Sequence, residues 1–167
     1  MMSHNKIIII GLIGLLASGV PARADGQVGK PLPNLTDFAL ANHLPALPGR
    51  VVLVDFWATW CTPCRASFPA YNALQREFGE RGLTIIGVSV DQDEDKYERF
   101  VQKLAPVFTT VCDSTQGFVT AVHPTAMPTC YVIDRHGVVQ AMHSGFYGNT
   151  TVRELREEIT KLLEEKP

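Results

Sequence analysis

The strongest constraint on the fold of this chain is an apolar segment, residues 51–57, that leads into a closely spaced pair of cysteines. The segment reads Val-Val-Leu-Val-Asp-Phe-Trp, a nearly continuous apolar run that is typical of a strand buried on both faces. Cys61-Thr62-Pro63-Cys64 follows after three residues, and helical periodicity over residues 62–79 places both cysteines at a helix start. Two such thiols can form a small disulfide ring, which makes thiol–disulfide exchange the leading hypothesis.

The rest of the chain alternates between strand and helix patterns, and this order predicts an α/β protein in which the first strands are parallel. Residues 34–50 predict an irregular lead-in segment with one short strand or helical turn. The predicted elements are a strand at 51–57, a helix at 62–79, a strand at 83–90, a helix at 93–104, a strand at 107–112, a turn or short helix at 114–121, antiparallel strands at 130–133 and 138–143 joined by a tight turn, and an amphipathic helix at 151–164.

The first 24 residues have the pattern of a secretory signal peptide. Lys6 supplies a positive charge, residues 7–20 form an apolar core, and Ala22-Arg23-Ala24 offers a small-x-small cleavage site. Cleavage is favoured over an uncleaved membrane anchor because the apolar core is shorter than the ~20 residues that span a bilayer. The sequence therefore predicts a signal peptide at 1–24 and a single domain at 25–167, located in the bacterial periplasm and associated with the membrane only if the signal segment is not cleaved.

Composition excludes some classes of partner. Of 15 basic residues, Lys6 and Arg23 lie in the signal segment, so 13 remain against 17 acidic residues, a net charge of −4. This balance argues against binding to nucleic acid, which needs clustered cations. An exported compartment is oxidising, so a thiol pair that acts as a reductant there must receive electrons, and a membrane thiol donor is the expected source.

The two cysteines of the motif are predicted to have different roles. A helix N-terminus favours negative charge and lowers a thiol pKa from its free value of ~8.5, so Cys61 is predicted to be the attacking thiolate. Cys64, one turn further on and less exposed, is predicted to resolve the mixed disulfide. Thr62 and Pro63 shape the ring at the helix start, where proline is tolerated because its missing N–H would have no intrahelical partner. Trp60 is a candidate substrate-binding residue, and no cofactor other than the Cys61–Cys64 disulfide is predicted.

Asp55 is the second informative residue, because it lies inside the apolar strand six positions before Cys61. Burial would raise the pKa of its carboxyl group, and a buried acid there can exchange a proton with Cys64 through water. The alternative is an exposed aspartate on an edge strand, but the apolar neighbours predict a central strand.

Met127-Pro128-Thr129 precedes a predicted strand, and a proline at that place is suited to a tight turn with a cis peptide bond. Such a turn would leave the backbone of Met127 able to pair with an extended substrate peptide. Pro124 is the alternative, but it lies in a loop pattern. Met127 and Pro128 are therefore predicted substrate-binding residues.

These motifs resemble one known family. Phe56-Trp57-Ala58-Thr59-Trp60-Cys61-x-Pro63-Cys64, the Pro128-Thr129 turn and Arg135-His136-Gly137 are similar to the TlpA/ResA/DsbE-like group of exported thiol–disulfide oxidoreductases, over about residues 31–165. The resemblance implies a thioredoxin fold with a central mixed β-sheet flanked by helices, a helix-strand insertion at about 93–121, and a cis-proline facing the cysteines at Pro128. It also implies protein dithiol or disulfide substrates, such as apocytochrome c or copper-site assembly factors.

Two departures from the family pattern bear on substrates. Ser67 stands where ResA/DsbE-like members usually carry glutamate, and Asp55 stands where many carry asparagine and thioredoxin carries aspartate. The acid of this chain is therefore placed as in thioredoxin, which weakens the transfer of a role in cytochrome c maturation.

Other functions compete with the leading one. A structural disulfide or zinc site is disfavoured because Cys112 and Cys130 offer no suitably spaced further ligands, and no metal site is predicted. A copper-delivery protein that uses Cys61 and Cys64 as soft ligands stays open as an alternative. A peroxiredoxin-like peroxidase is less favoured because residues 57–60 contain Thr59 but no proline.

The other two cysteines are not predicted to form a disulfide. The strand order of the family would separate Cys112 from Cys130 by two strands, so both are predicted to be buried free thiols. A side role in redox chemistry is left open for Cys130.

Overall fold

The computed structural model describes residues 27–165 of the 167-residue chain, so the predicted signal peptide at 1–24 lies outside the described residues. A short 3-10 helix, Leu35–Asp37, forms in the lead-in segment, as predicted. The main elements are β1 Val51–Trp57, α1 Thr62–Phe78, β2 Leu83–Ser89, α2 Glu94–Leu104, β3 Thr109–Cys112, α3 Gly117–Val122, β4 Thr129–Ile133, β5 Val139–Ser144 and α4 Asn149–Glu164.

The five strands form one mixed sheet in the order β3-β2-β1-β4-β5. β2 is parallel to β1 and β3 is parallel to β2, whereas β4 is antiparallel to β1 and β5 is antiparallel to β4. β1 is therefore the central strand, and all seven of its residues are buried. This arrangement confirms the predicted fold class, in which α2 and β3 form the insertion and β3 extends the sheet at one edge.

Side chains of β1 alternate between two apolar layers, as the strand period of two requires. Leu53 and Trp57 belong to the layer that packs against α1, α2 and α4. Val54 and Phe56 belong to the opposite layer, which α3 and the lead-in segment cover. Asp55 lies between Leu53 and Trp57 by the same alternation, so its carboxyl group is on the side of the sheet that α1 covers.

The chain that precedes β1 contacts both outer edges of the sheet. Ala41 and Cys112 exchange two backbone hydrogen bonds, of 2.9 and 3.2 Å, along the outer side of β3. At the other edge, the N–H of Gly29 donates to the carbonyl of Val139 at 2.8 Å, and the N–H of Val139 donates to that of Lys30 at 3.0 Å. The stretch from residue 29 to residue 41 therefore supplies partners to β3 and to β5.

Several predicted boundaries move by one to three residues. β3 begins at Thr109 instead of residue 107, because the chain from α2 is still in a bend and Val107 is 46% exposed. α4 begins at Asn149, two residues before the predicted start, directly after Gly148 with a φ of 60°. None of the helices between residues 27 and 165 is long and apolar enough to cross a membrane.

Candidate active site

The cysteine pair lies where β1 passes into α1. Cys61 and Cys64 form a disulfide, and their Cα atoms are 5.3 Å apart. Cys61 is the N-cap of α1, and its Sγ accepts a hydrogen bond from the backbone N–H of Cys64 at 3.3 Å. Thr62 and Pro63 occupy the first two helical positions, where the missing N–H of proline leaves no acceptor unpaired. A negative charge on the Cys61 sulfur would therefore lie beside the Cys64 N–H at the N-terminus of α1, where the helix dipole favours it.

Solvent exposure distinguishes the two sulfur-bearing residues. Cys61 keeps 6% of its surface exposed, whereas Cys64 is fully buried. Trp60, immediately before Cys61, is 64% exposed. An incoming disulfide can therefore meet Cys61 beside the large apolar surface of Trp60, whereas Cys64 offers no exposed surface.

Asp91 fixes the loop that precedes Cys61. Its two carboxylate oxygens accept hydrogen bonds from the backbone N–H and the hydroxyl of Thr59, both at 2.8 Å. The Ser89 hydroxyl donates to the same carboxylate at 2.7 Å. From the sequence, Asp91 is only the residue that ends the second apolar strand and begins the charged stretch before the next helix, so this role was missed. Its position just after β2, at the sheet end where β1 also terminates, was the signal that could have identified it.

The predicted substrate-binding turn lies beside the cysteines. The Met127–Pro128 peptide bond is cis, as the sequence predicts, and Met127 packs against the apolar layer that contains Cys61 and Cys64. Thr129, the next residue, pairs with Phe56 near the end of β1. The Pro128 carbonyl accepts a hydrogen bond from the Gly145 N–H at 2.7 Å. Residues 58–61, 127–128 and 145 therefore meet at one end of the sheet.

Asp55 is 1% exposed and lies in the central strand, which confirms the predicted burial. Burial raises the pKa of its carboxyl group well above the usual value, and a hydrogen bond from Tyr71 partly offsets that rise. The Tyr71 hydroxyl donates to Oδ1 of Asp55 at 3.0 Å. Oδ2 is buried and has no hydrogen-bond partner among the described residues. The proton-transfer role of Asp55 stays a prediction, and Tyr71 is a neighbour that sequence reasoning missed.

The other two cysteines are buried free thiols, as predicted. They lie on β3 and β4, which β2 and β1 separate. Burial raises the pKa of Cys112 to about 11 and that of Cys130 further still. Both thiols are therefore protonated at neutral pH, and a protonated thiol is a poor nucleophile.

Two polar side chains that follow Cys64 on α1, Arg65 and Ser67, make local contacts. Ser67, which stands at the family's glutamate position, is buried, and its hydroxyl donates to the Cys64 carbonyl at 2.8 Å. Arg65 donates to the Thr62 hydroxyl at 3.0 Å on the exposed face. Within residues 27–165, no three His, Cys, Asp or Glu side chains are grouped so that they could hold one metal ion.

Comparison with known proteins agrees with this geometry. The chain matches the AhpC/TSA family over residues 28–142. It is 30% identical to the thioredoxin-like protein YneN of Bacillus subtilis over 139 residues, 80% of this chain and 79% of that protein. It is 28% identical to the thiol-disulfide oxidoreductase ResA of Bacillus anthracis over 151 residues, 83% of this chain and 87% of that protein. Among solved structures, a putative thiol:disulfide interchange protein DsbE from Chlorobium tepidum superposes with a TM-score of 0.66 at 33% identity, covering 69% of this chain and 81% of that one.

A central mixed sheet that carries a helix-capping Cys-x-x-Cys disulfide beside a cis-proline, together with these relatives, defines a thiol–disulfide oxidoreductase with a thioredoxin fold. The chain belongs to the AhpC/TSA family and, within it, to the TlpA/ResA/DsbE-like group that its motifs resemble.

Proposed function

We propose that this enzyme works in the bacterial periplasm, where it reduces disulfides in exported proteins. The observation that carries the proposal is the difference between the two cysteines, since Cys61 keeps 6% of its surface exposed at the helix N-terminus, whereas Cys64 is fully buried. The signal-peptide pattern of residues 1–24 supports export. The similarity to ResA and to the DsbE protein supports protein thiols as the substrate class.

In the first step, the Cys61 thiolate attacks one sulfur of the substrate disulfide. A bond forms between Cys61 and that sulfur, the substrate S–S bond breaks, and the second substrate sulfur leaves as a thiolate that takes a proton from solvent. Trp60 and Met127 would contact the substrate on either side of Cys61, while the backbone at Met127–Pro128 pairs with its extended chain.

In the second step, Cys64 resolves the mixed disulfide. Its thiol proton passes to Asp55, its sulfur bonds to the Cys61 sulfur, and the bond between Cys61 and the substrate breaks. The substrate sulfur leaves as a thiolate that takes a proton from solvent, and the Cys61–Cys64 disulfide remains. A membrane dithiol donor then reduces this disulfide and is itself oxidised. Apocytochrome c cysteines and the thiols of copper-site assembly proteins are candidate substrates.

A trapping experiment tests location and substrates together. In cells that express full-length Cys64→Ala, the first step can occur and the second cannot, so mixed disulfides on Cys61 should accumulate. Mass spectrometry of the trapped complexes is expected to identify exported proteins and to find Asp25 as the N-terminal residue. The control is Cys61→Ala/Cys64→Ala, which should trap nothing. Cytoplasmic partners would refute the proposed location, whereas exported partners on a chain that still begins at Met1 would show that the signal segment anchors the enzyme at the membrane.

The direction of electron flow has its own test. A reductant should hold the Cys61–Cys64 pair at a potential near that of thioredoxin, ~−270 mV, whereas a strong oxidant of the DsbA kind lies near −120 mV. Equilibration of the purified domain with glutathione buffers, followed by alkylation and mass analysis, measures this value. A potential close to that of DsbA would reverse the proposed direction.

A further inference from the structure

Tyr71 lies on α1, the helix that begins at the cysteine pair, and its side chain contacts the buried carboxyl group of Asp55. It follows Cys64 by seven residues, which places both side chains on one face of α1, and it is 1% exposed. Its hydroxyl donates to Oδ1 of Asp55 at 3.0 Å. The helix that carries the two cysteines, α1, therefore also supplies the hydrogen bond to Oδ1 of Asp55.

The geometry makes the two oxygens of Asp55 unequal. Oδ1 accepts the Tyr71 hydrogen bond, whereas Oδ2 is buried without a hydrogen-bond partner in the described part of the chain. An unpaired carboxylate oxygen in an apolar layer is costly, and protonation lowers that cost because it neutralises the charge. A proton taken up by Asp55 is therefore best placed on Oδ2.

The ionisable groups on the described elements around Asp55 can be named one by one. Tyr71 on α1 donates a hydrogen bond to it, Cys130 on β4 is its register partner, and Cys64 lies in the same apolar layer. From β2 the register partner is Gly87, which has no side chain. Beyond Cys130, on β5 and α4, His143 contacts Glu158 at 2.8 Å and Glu154 at 3.5 Å.

Two aromatic rings keep Tyr71 in this position. Phe108 packs on its ring edge-to-face with centroids 6.0 Å apart, and Phe146 does so at 6.5 Å. The Tyr71 hydroxyl also interacts with the Cys130 thiol, which burial keeps protonated. The hydroxyl is thus held between a neutral thiol and the carboxyl group, so its own proton is available to Asp55.

We propose that Tyr71 is a positioning residue for proton transfer, because its hydroxyl holds Oδ1 of Asp55 and leaves Oδ2 to exchange a proton with Cys64. This inference rests on the proposed function and deepens it. When Cys64 attacks the mixed disulfide, its proton moves to Oδ2 of Asp55. When a dithiol donor later reduces the Cys61–Cys64 disulfide, Cys64 leaves as a thiolate and takes that proton back, while the oxidised donor releases its own protons to solvent.

Tyr71→Phe removes the hydroxyl and keeps the ring. The variant loses a hydrogen bond that favours the charged carboxylate, so the Asp55 titration in the oxidised protein should move to higher pH by about one unit. Carboxyl ¹³C NMR measures this midpoint without any substrate. In the pH range where Asp55 titrates, decay of the Cys61 mixed disulfide should slow by up to about tenfold, while its formation should be unchanged, because less Asp55 is in the form that accepts a proton.

Tyr97→Phe is the matched control. Tyr97 is equally buried in the same apolar layer, but its hydroxyl donates to Thr110 at 2.9 Å and not to Asp55. This variant should leave the Asp55 titration and both rates unchanged. In an Asp55→Asn background, Tyr71→Phe should add no further slowing of decay.

An unmoved Asp55 titration in Tyr71→Phe would overturn the inference, as would equal slowing of decay with and without Asp55. Failure of the proposed function would give a different result. The wild-type protein would then reduce no protein disulfide, but Tyr71→Phe would still shift the Asp55 titration.

Discussion

Cys61→Ser is expected to abolish the reduction of protein disulfides and to lower the rate to that of the uncatalysed reaction with dithiothreitol. A serine hydroxyl does not ionise at neutral pH and does not attack a disulfide sulfur, whereas Cys61 lies at the N-terminus of α1, where a thiolate is stabilised. Turbidity from insulin reduction measures the loss.

Cys112→Ser is the control for removing any thiol, because Cys112 is buried on β3 and is not part of the disulfide. This variant should reduce insulin at close to the wild-type rate. Cys64→Ser should form a mixed disulfide but turn over slowly. Retained insulin reduction by Cys61→Ser would show that Cys61 is not the nucleophile.

Asp55→Asn is expected to slow release of the mixed disulfide by about 10²-fold, at the low end of what general acid–base catalysis contributes, and to affect its formation little. The asparagine side chain fills the same space but cannot take the Cys64 proton. Stopped-flow fluorescence with a disulfide peptide that carries a quencher separates the two rates. Equal changes in both rates would remove Asp55 from the proposed mechanism.

The same substitution has a pH-dependent effect on stability, and its sign follows from the pKa shift. Burial raises the pKa of Asp55 in the folded protein above 3.8, its value in an unfolded chain. As pH rises above that unfolded value, the unfolded state loses this proton before the folded state does, so stability falls until the folded pKa is passed. Asp55→Asn should therefore gain stability relative to wild type with rising pH, and the two should converge below pH 3.8. Urea denaturation across a pH series measures this difference.

The sequence predicted the central features of the site because each had a local cause. An apolar run identified β1, helical periodicity placed Cys61 at a helix start, and the apolar neighbours of Asp55 indicated its burial. Proline before a strand indicated the cis bond at Pro128. Each of these signals lies within a few residues of the feature that it predicts, so no tertiary information was needed.

The partners of these residues could not be predicted in the same way. Tyr71 is 16 residues from Asp55, and Asp91 is 32 residues from Thr59. Each contact depends on how α1 or β2 packs beside β1, and a tyrosine on an amphipathic helix is also a common core residue. The predicted start of β3 is wrong for a related reason. Valine is common in strands, but Val107 precedes Thr109, the first residue of β3 that pairs with β2.

The backbone bonds that Gly29, Lys30 and Ala41 make along the two edges of the sheet have a consequence for self-association. At Cys112 on β3 and Val139 on β5, the outward-facing backbone groups already have partners, so a strand from another copy of the chain cannot pair at these positions. Covering a sheet edge in this way is one means by which proteins avoid edge-to-edge aggregation.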